Sequence, residues 1–132
     1  MLFRSIKHKV VKHALLNYRI KKNLEIHYDG DMPSRSGMGS SSCFIVGLIN
    51  ALYSFNKKQT NKNLIAQESI YFEQKILKEH VGSQDQVACT YGGFNSIIFK
   101  RNSEFVVNKI ETEKNFISVR RENFLQFQKV NY

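Results

Sequence analysis

The chain has 132 residues, 42% of them hydrophobic and 23% charged, enough for one domain around one core and too apolar for a disordered or fibrous chain. Twenty Lys and Arg against 11 Asp and Glu leave a formal net charge of +9, which implies an anionic partner: a nucleic acid, a phosphorylated small molecule, or only solvated lysine-rich faces. No run approaches the roughly 20 apolar residues of a membrane-spanning helix, and Arg4, Lys7, His8 and Lys9 interrupt the N-terminus, so neither a span nor a signal peptide is read and the cytoplasm is the expected location.

In chain order, Phe3, Ile6, Val10, Ala14 and Tyr18 recur at steps of three and four between lysines. That spacing predicts an amphipathic helix over residues 2–20. Residues 24–29, Leu-Glu-Ile-His-Tyr-Asp, alternate apolar and polar and predict a half-buried strand. A turn-rich stretch follows to Gly39, after which Ser40 opens a long apolar segment, Cys43 to Phe55, read as a buried helix fed by a glycine-serine loop. Thr60 is placed as the N-cap of a further helix to about Lys78, with Leu64, Ile65, Ile70, Phe72, Ile76 and Leu77 as its apolar stripe.

Val81 to Gln86 reads as a loop that opens one short helical turn through Cys89. Gly92-Gly93 ends it, and Phe94–Lys100 and Glu104–Ile110 read as a β-hairpin turning at Arg101-Asn102-Ser103. Periodicity weakens beyond Glu111, and no repeat or linker is visible. Cys43 and Cys89 lack any Cys-x-x-Cys or Cys/His clustering and are expected to be reduced core residues. His8, His13, His27 and His80 show no ligand spacing, so protein-bound zinc is not expected.

Two loops could carry chemistry. Pro33-Ser34-Arg35-Ser36-Gly37-Met38-Gly39-Ser40-Ser41-Ser42 combines glycines, which let a backbone approach a ligand, with hydroxyls on the first turn of a helix. The unpaired N–H groups and positive dipole end there suit a phosphate, and a serine oxygen can reach a phosphate-bound magnesium. An ordinary serine-capped helix after a turn has the same composition. The loop is not a Walker A loop, because no Gly-Lys-Ser/Thr follows the four-residue spacer. The second constellation is Glu73 and Asp85, 12 residues apart. Two carboxylates beside a phosphate loop suit phosphoryl transfer, one holding Mg²⁺ and the other accepting or orienting a hydroxyl proton. Spacing alone favours the plainer alternative, a solvated Glu73 and an N-capping Asp85, and Glu68 and Glu79 flank Glu73 with equal claim.

Taken together, the Pro33–Ser42 loop and Val81-Gly82-Ser83-Gln84-Asp85-Gln86-Val87-Ala88, followed by Gly92-Gly93-Phe94, resemble the GHMP kinase superfamily. The nearest likeness is to its D-glycero-D-manno-heptose 7-phosphate kinase branch, which has a similar arginine-serine-glycine loop and a similar glutamate-glutamine pair in the following helix. The resemblance covers about residues 5–110. It implies an α+β fold, the GHMP kinase N-terminal domain, which resembles domain 2 of a small-subunit ribosomal protein. It implies transfer of the ATP γ-phosphate to a hydroxyl of a phosphorylated sugar, at the anomeric position of the heptose phosphate, with Mg²⁺ as cofactor. By the same resemblance Gly37, Met38, Gly39, Ser40, Ser41 and Ser42 bind the nucleotide. Ser41 and Glu73 hold Mg²⁺, Asp85 is catalytic, and Gly82, Ser83 and Gln84 shape the sugar side.

The departures from that pattern are also informative. Nothing in residues 1–23 matches the family's proline-glycine-arginine motif, and the second, ferredoxin-like domain has no counterpart before Tyr132. The expectation is a truncated, internal piece: residues 1–110 a partial N-terminal domain, residues 111–132 a divergent tail at the start of an absent C-terminal domain. Such a piece would have little kinase activity alone. The alternatives are a catalytically inactive remnant and a basic nucleic-acid-binding module. The latter lacks an aromatic-interleaved basic motif and leaves Gly37 to Ser42 unexplained, so no nucleic acid and no membrane partner are expected.

Overall fold

A computed structural model of the chain describes residues 6–20, 24–29 and 39–111. Four α-helices and one hairpin are formed among them: α1 (Lys9–Asn17), α2 (Ser40–Phe55), α3 (Lys62–Tyr71), α4 (Gln84–Tyr91), β1 (Asn95–Phe99) and β2 (Phe105–Lys109). A π-helical turn, Phe72–Ile76, continues α3 directly. The chain divides into two compact units, Met1–Thr90 and Tyr91–Tyr132.

In the first unit α2 packs against both α1 and α3. Its Ile45, Val46, Leu48, Ile49 and Leu52 are buried together with Ala14, Leu15 and Ile20 near α1 and Ile65, Phe72 and Leu77 near α3. Each fully buried Leu, Ile or Phe contributes about 1.5–3 kcal/mol. α2 runs from Ser40 to Phe55 as its apolar length predicts. Helices α1 and α2 end alike, with a left-handed residue after the cap, Arg19 (φ +52°) and Lys57 (φ +54°). The next N–H then turns back to a carbonyl of the last turn, Ile20 to Leu15 at 3.0 Å and Lys58 to Tyr53 at 3.0 Å. At α1 this reversal returns Ile20 to the core, where it is 2% exposed.

Local details depart from the sequence reading. Helix α1 starts at Lys9, capped by His8, whose Nδ1 accepts the Val11 N–H at 3.4 Å. Ile6 therefore precedes the helix, although it still packs on the core, and residues 1–5 lie outside the described residues. The N-cap of α3 is Asn61 and not Thr60: Asn61 is extended (φ −138°, ψ 168°), and its Oδ1 accepts the Leu64 N–H at 2.9 Å.

Residues 24–29 are not a strand. All six are exposed, and no strand pairs with them among the described residues. Alternation supplies only propensity, and a strand needs a ladder partner. Tyr28 instead sets its ring edge-on to Phe44 at 4.6 Å. Cys43 on α2 and Cys89 on α4 are disulfide-bonded, with Cα atoms 5.4 Å apart, and so are not the reduced pair expected. Their separation of 46 residues conceals a helix-on-helix approach that only packing creates.

In the second unit the hairpin forms where Gly92-Gly93 and the 101–103 turn predict. It is antiparallel, with Ile97 opposite Val107 and Phe99 opposite Phe105. Ser103 takes φ +67°, and the Lys100 N–H bonds the Glu104 carbonyl at 2.8 Å. No helix among the described residues is long and apolar enough to cross a membrane.

Candidate active site

The N-terminus of α2 is the first component. Gly39, its N-cap, has φ +74° and no side chain with which to cap the N–H groups of the first turn. Along that turn Ser40 is half-buried, Ser41 exposed and Ser42 buried. Gly37 and Met38 lie outside the described residues.

Asp85, in the first turn of α4, lies against this end. A Cβ added to Gly39 would lie 3.3 Å from both the Asp85 Cγ and Oδ2. Glycine is therefore required for two reasons, the left-handed backbone and the room its missing side chain leaves to a carboxylate. The negative group sits at the positive end of the α2 dipole, a favourable placement. Gly39→Ala is expected to cost about 1–3 kcal/mol, from strain at positive φ and displacement of Asp85, measured by urea unfolding; a change below a few tenths would mean that the approach is not tight.

Glu73 is the third component. It lies in the π turn, whose widened spacing is marked by the Leu77 N–H bonding the Phe72 carbonyl at 2.9 Å. Such turns are frequent at functional sites. Phe72 faces the core at 0% exposed, and the adjacent Glu73 is itself only 1% exposed. Its carboxylate accepts the Ser42 hydroxyl at 3.0 Å (Oε2) and 3.2 Å (Oε1), and the Gln86 amide at Oε2. Burial pushes the Glu73 carboxyl above the usual carboxylate range. The hydrogen bonds from Gln86 and Ser42 oppose the shift, while the charges of Glu79 and Asp85 add to it.

One atom of the cluster is unsatisfied: Gln86 Oε1 is buried with no hydrogen-bond partner among the described residues. An orphaned buried acceptor costs free energy that a metal-bound water or a ligand donor would recover. A buried carboxylate, the Ser42 hydroxyl on it and a spare carbonyl oxygen are hard oxygen donors of the class magnesium takes. The residues present therefore fit a magnesium-bound phosphate.

The structure thus brings together Gly39, Ser42, Glu73 and Asp85, distant in sequence. It does not place Ser41 on Glu73, since the serine that contacts the carboxylate is Ser42. Its burial was traceable, because the buried positions Leu52, Ile49 and Ile45 step back by three and four to Ser42. Gly82 and Gln84 are exposed and Ser83 is half-buried in the segment entering α4. Gln74, which the sequence reading gave no separate role, ties that segment to the π turn by donating to the Val81 carbonyl at 3.1 Å and the Ser83 hydroxyl at 3.3 Å.

Comparison with known proteins identifies the family. The GHMP kinases N terminal domain matches residues 5–93. The chain belongs to the GHMP kinase family. It has the α+β fold of that family's N-terminal domain, and the family uses ATP and Mg²⁺. A curated relative, the D-glycero-alpha-D-manno-heptose 7-phosphate kinase of Campylobacter jejuni subsp. jejuni serotype O:2 (strain ATCC 700819 / NCTC 11168), is 35% identical over 119 residues. That alignment covers 89% of this chain and 33% of the relative, so the chain spans a third of the length of the kinase it matches. No solved structure matches it.

Proposed function

We propose that this chain carries the phosphate- and magnesium-binding part of an ATP-dependent sugar kinase of the cytoplasm. Its acceptor would be the anomeric hydroxyl of D-glycero-D-manno-heptose 7-phosphate, the substrate in the Campylobacter relative's name. The observation that carries the reading is the convergence of three components. They are the uncapped N-terminus of α2, the Asp85 carboxylate against Gly39, and the buried Ser42–Glu73–Gln86 cluster with its spare acceptor.

In this reading the N–H groups of Ser40 to Ser42, with Gly37 and Met38 before them, hold the nucleotide phosphates. Glu73 and the exposed Ser41 hydroxyl would hold Mg²⁺, while Ser42 and Gln86 fix the Glu73 carboxylate. A magnesium ion held by these residues would supply positive charge toward the transferred phosphoryl oxygens. Asp85 faces the same helix end and would accept or orient the proton of the attacking sugar hydroxyl. Gly82, Ser83 and Gln84, next to Asp85 in sequence, would bound the sugar.

Isothermal titration of the chain with Mg-ATP tests the reading. Binding is expected with Mg²⁺ and weaker without it, with Ser41→Ala reducing the magnesium dependence. Affinity should also fall toward acid pH, because a proton on Glu73 competes with the metal. Identical heats with and without Mg²⁺ would reject the metal assignment. No heat at all would reject the phosphate site.

A further inference from the structure

We propose that Cys43 and Cys89 form a reversible redox modification site, oxidised by a low-molecular-weight disulfide, that clamps the N-terminal turns of α2 onto α4. The inference rests on the proposed function only for the reducing compartment, and none of its readouts uses a nucleotide. Cys43 lies four residues after Gly39 and Cys89 four after Asp85. Residues four apart share a helix face, about 6 Å along the axis. The Gly39–Asp85 approach and the Cys43–Cys89 bond are therefore two rungs of one α2–α4 contact, offset by a turn on each helix. The Ser42–Glu73–Gln86 hydrogen bonds cross the same junction.

The Cα separation of 5.4 Å lies in the range a disulfide spans without backbone movement. Cys43 is exposed and Cys89 half-buried, so Cys43 is the sulfur a reagent meets first. In a reducing compartment such a bridge is redox-responsive and not permanently structural. Oxidation by glutathione disulfide proceeds in two exchanges. The Cys43 thiolate attacks one sulfur of the reagent, breaking its S–S bond, forming a mixed disulfide and releasing one glutathione. The Cys89 thiolate then attacks the Cys43 sulfur, closing the protein bond and releasing the second glutathione. Two electrons pass from the cysteine pair to the reagent, and the two cysteine protons end on the two released thiols.

The test equilibrates the full 132-residue chain in glutathione buffers of stepped potential, counts alkylated cysteines by mass spectrometry, and follows amide exchange in segments 39–43 and 84–91. Wild type is expected to lose both alkylation sites in one two-electron transition. Exchange across α4 should slow about tenfold on oxidation as local opening is suppressed. Cys89→Ser should instead accumulate one glutathione on Cys43. Both cysteines staying alkylatable at every potential, oxidation only to intermolecular dimers, or α4 exchange that ignores the redox state would each overturn the proposal. Wild type supplies the decisive readout, so a poorly folding variant leaves the proposal testable.

Discussion

Replacing Asp85 by Asn is expected to lower sugar-dependent ADP release about 10²–10⁴-fold when this chain is grafted in place of the matching third of the Campylobacter kinase. Asn has nearly the shape of Asp, so the side chain still fits over Gly39, where a Cβ would lie 3.3 Å from the carboxyl. What it loses is the ability to take a proton and the negative charge at the N-terminus of α2. The two losses act on different constants. The first lowers kcat, while the second removes repulsion toward the ATP phosphates and leaves KM for ATP unchanged or lower. Turnover within threefold of the parent graft would show that Asp85 does not act on the acceptor proton. A large rise in KM with kcat preserved would make it a packing residue of the phosphate loop.

Truncating Glu73 to Ala is expected to destabilise the chain by about 2–4 kcal/mol. The buried Ser42 hydroxyl and Gln86 amide would both lose their acceptor. Glu73→Gln keeps an acceptor oxygen and removes the buried charge, and its pH profile is the sharper measurement. The Glu73 carboxyl is raised in the folded chain above its ordinary value of 4.5, chiefly by burial. Between the two values the native state binds more protons than the unfolded chain, so wild-type stability falls as pH rises from about 4.5 and levels off above the raised value. The Gln variant lacks this loss and should gain on wild type across that window in urea unfolding. Parallel profiles would exclude Glu73 as the buried titrating acid. In the reading proposed above, the same variant weakens magnesium-dependent ATP binding, so the charge that costs stability is the one the metal needs.

The sequence by itself determined the elements whose causes are local. Helix α2 begins and ends where it was expected, because a glycine-serine loop meets an apolar run too long for a strand. The hairpin's signals are equally local: Gly92-Gly93, two short apolar segments and a three-residue turn predict the antiparallel pairing that forms. The family was also legible, since two ordered loop motifs carry it and the match runs over residues 5–93.

Tertiary structure alone decided which of several similar residues meet. Ser41 and Ser42 are adjacent hydroxyls, but about 100° of helical rotation separates them, and only the inner one reaches Glu73. By spacing Glu73 has no advantage over Glu68 and Glu79, and it is the fold that buries its carboxylate in the π turn. The strand expected over 24–29 has no partner among the described residues, and the cysteines expected to be reduced are joined. Propensity and periodicity act within a turn or a hairpin, where the chain's own geometry supplies the neighbours. The approach of α2 to α4 joins residues 46 positions apart, and such contacts depend on how whole helices pack around a shared core.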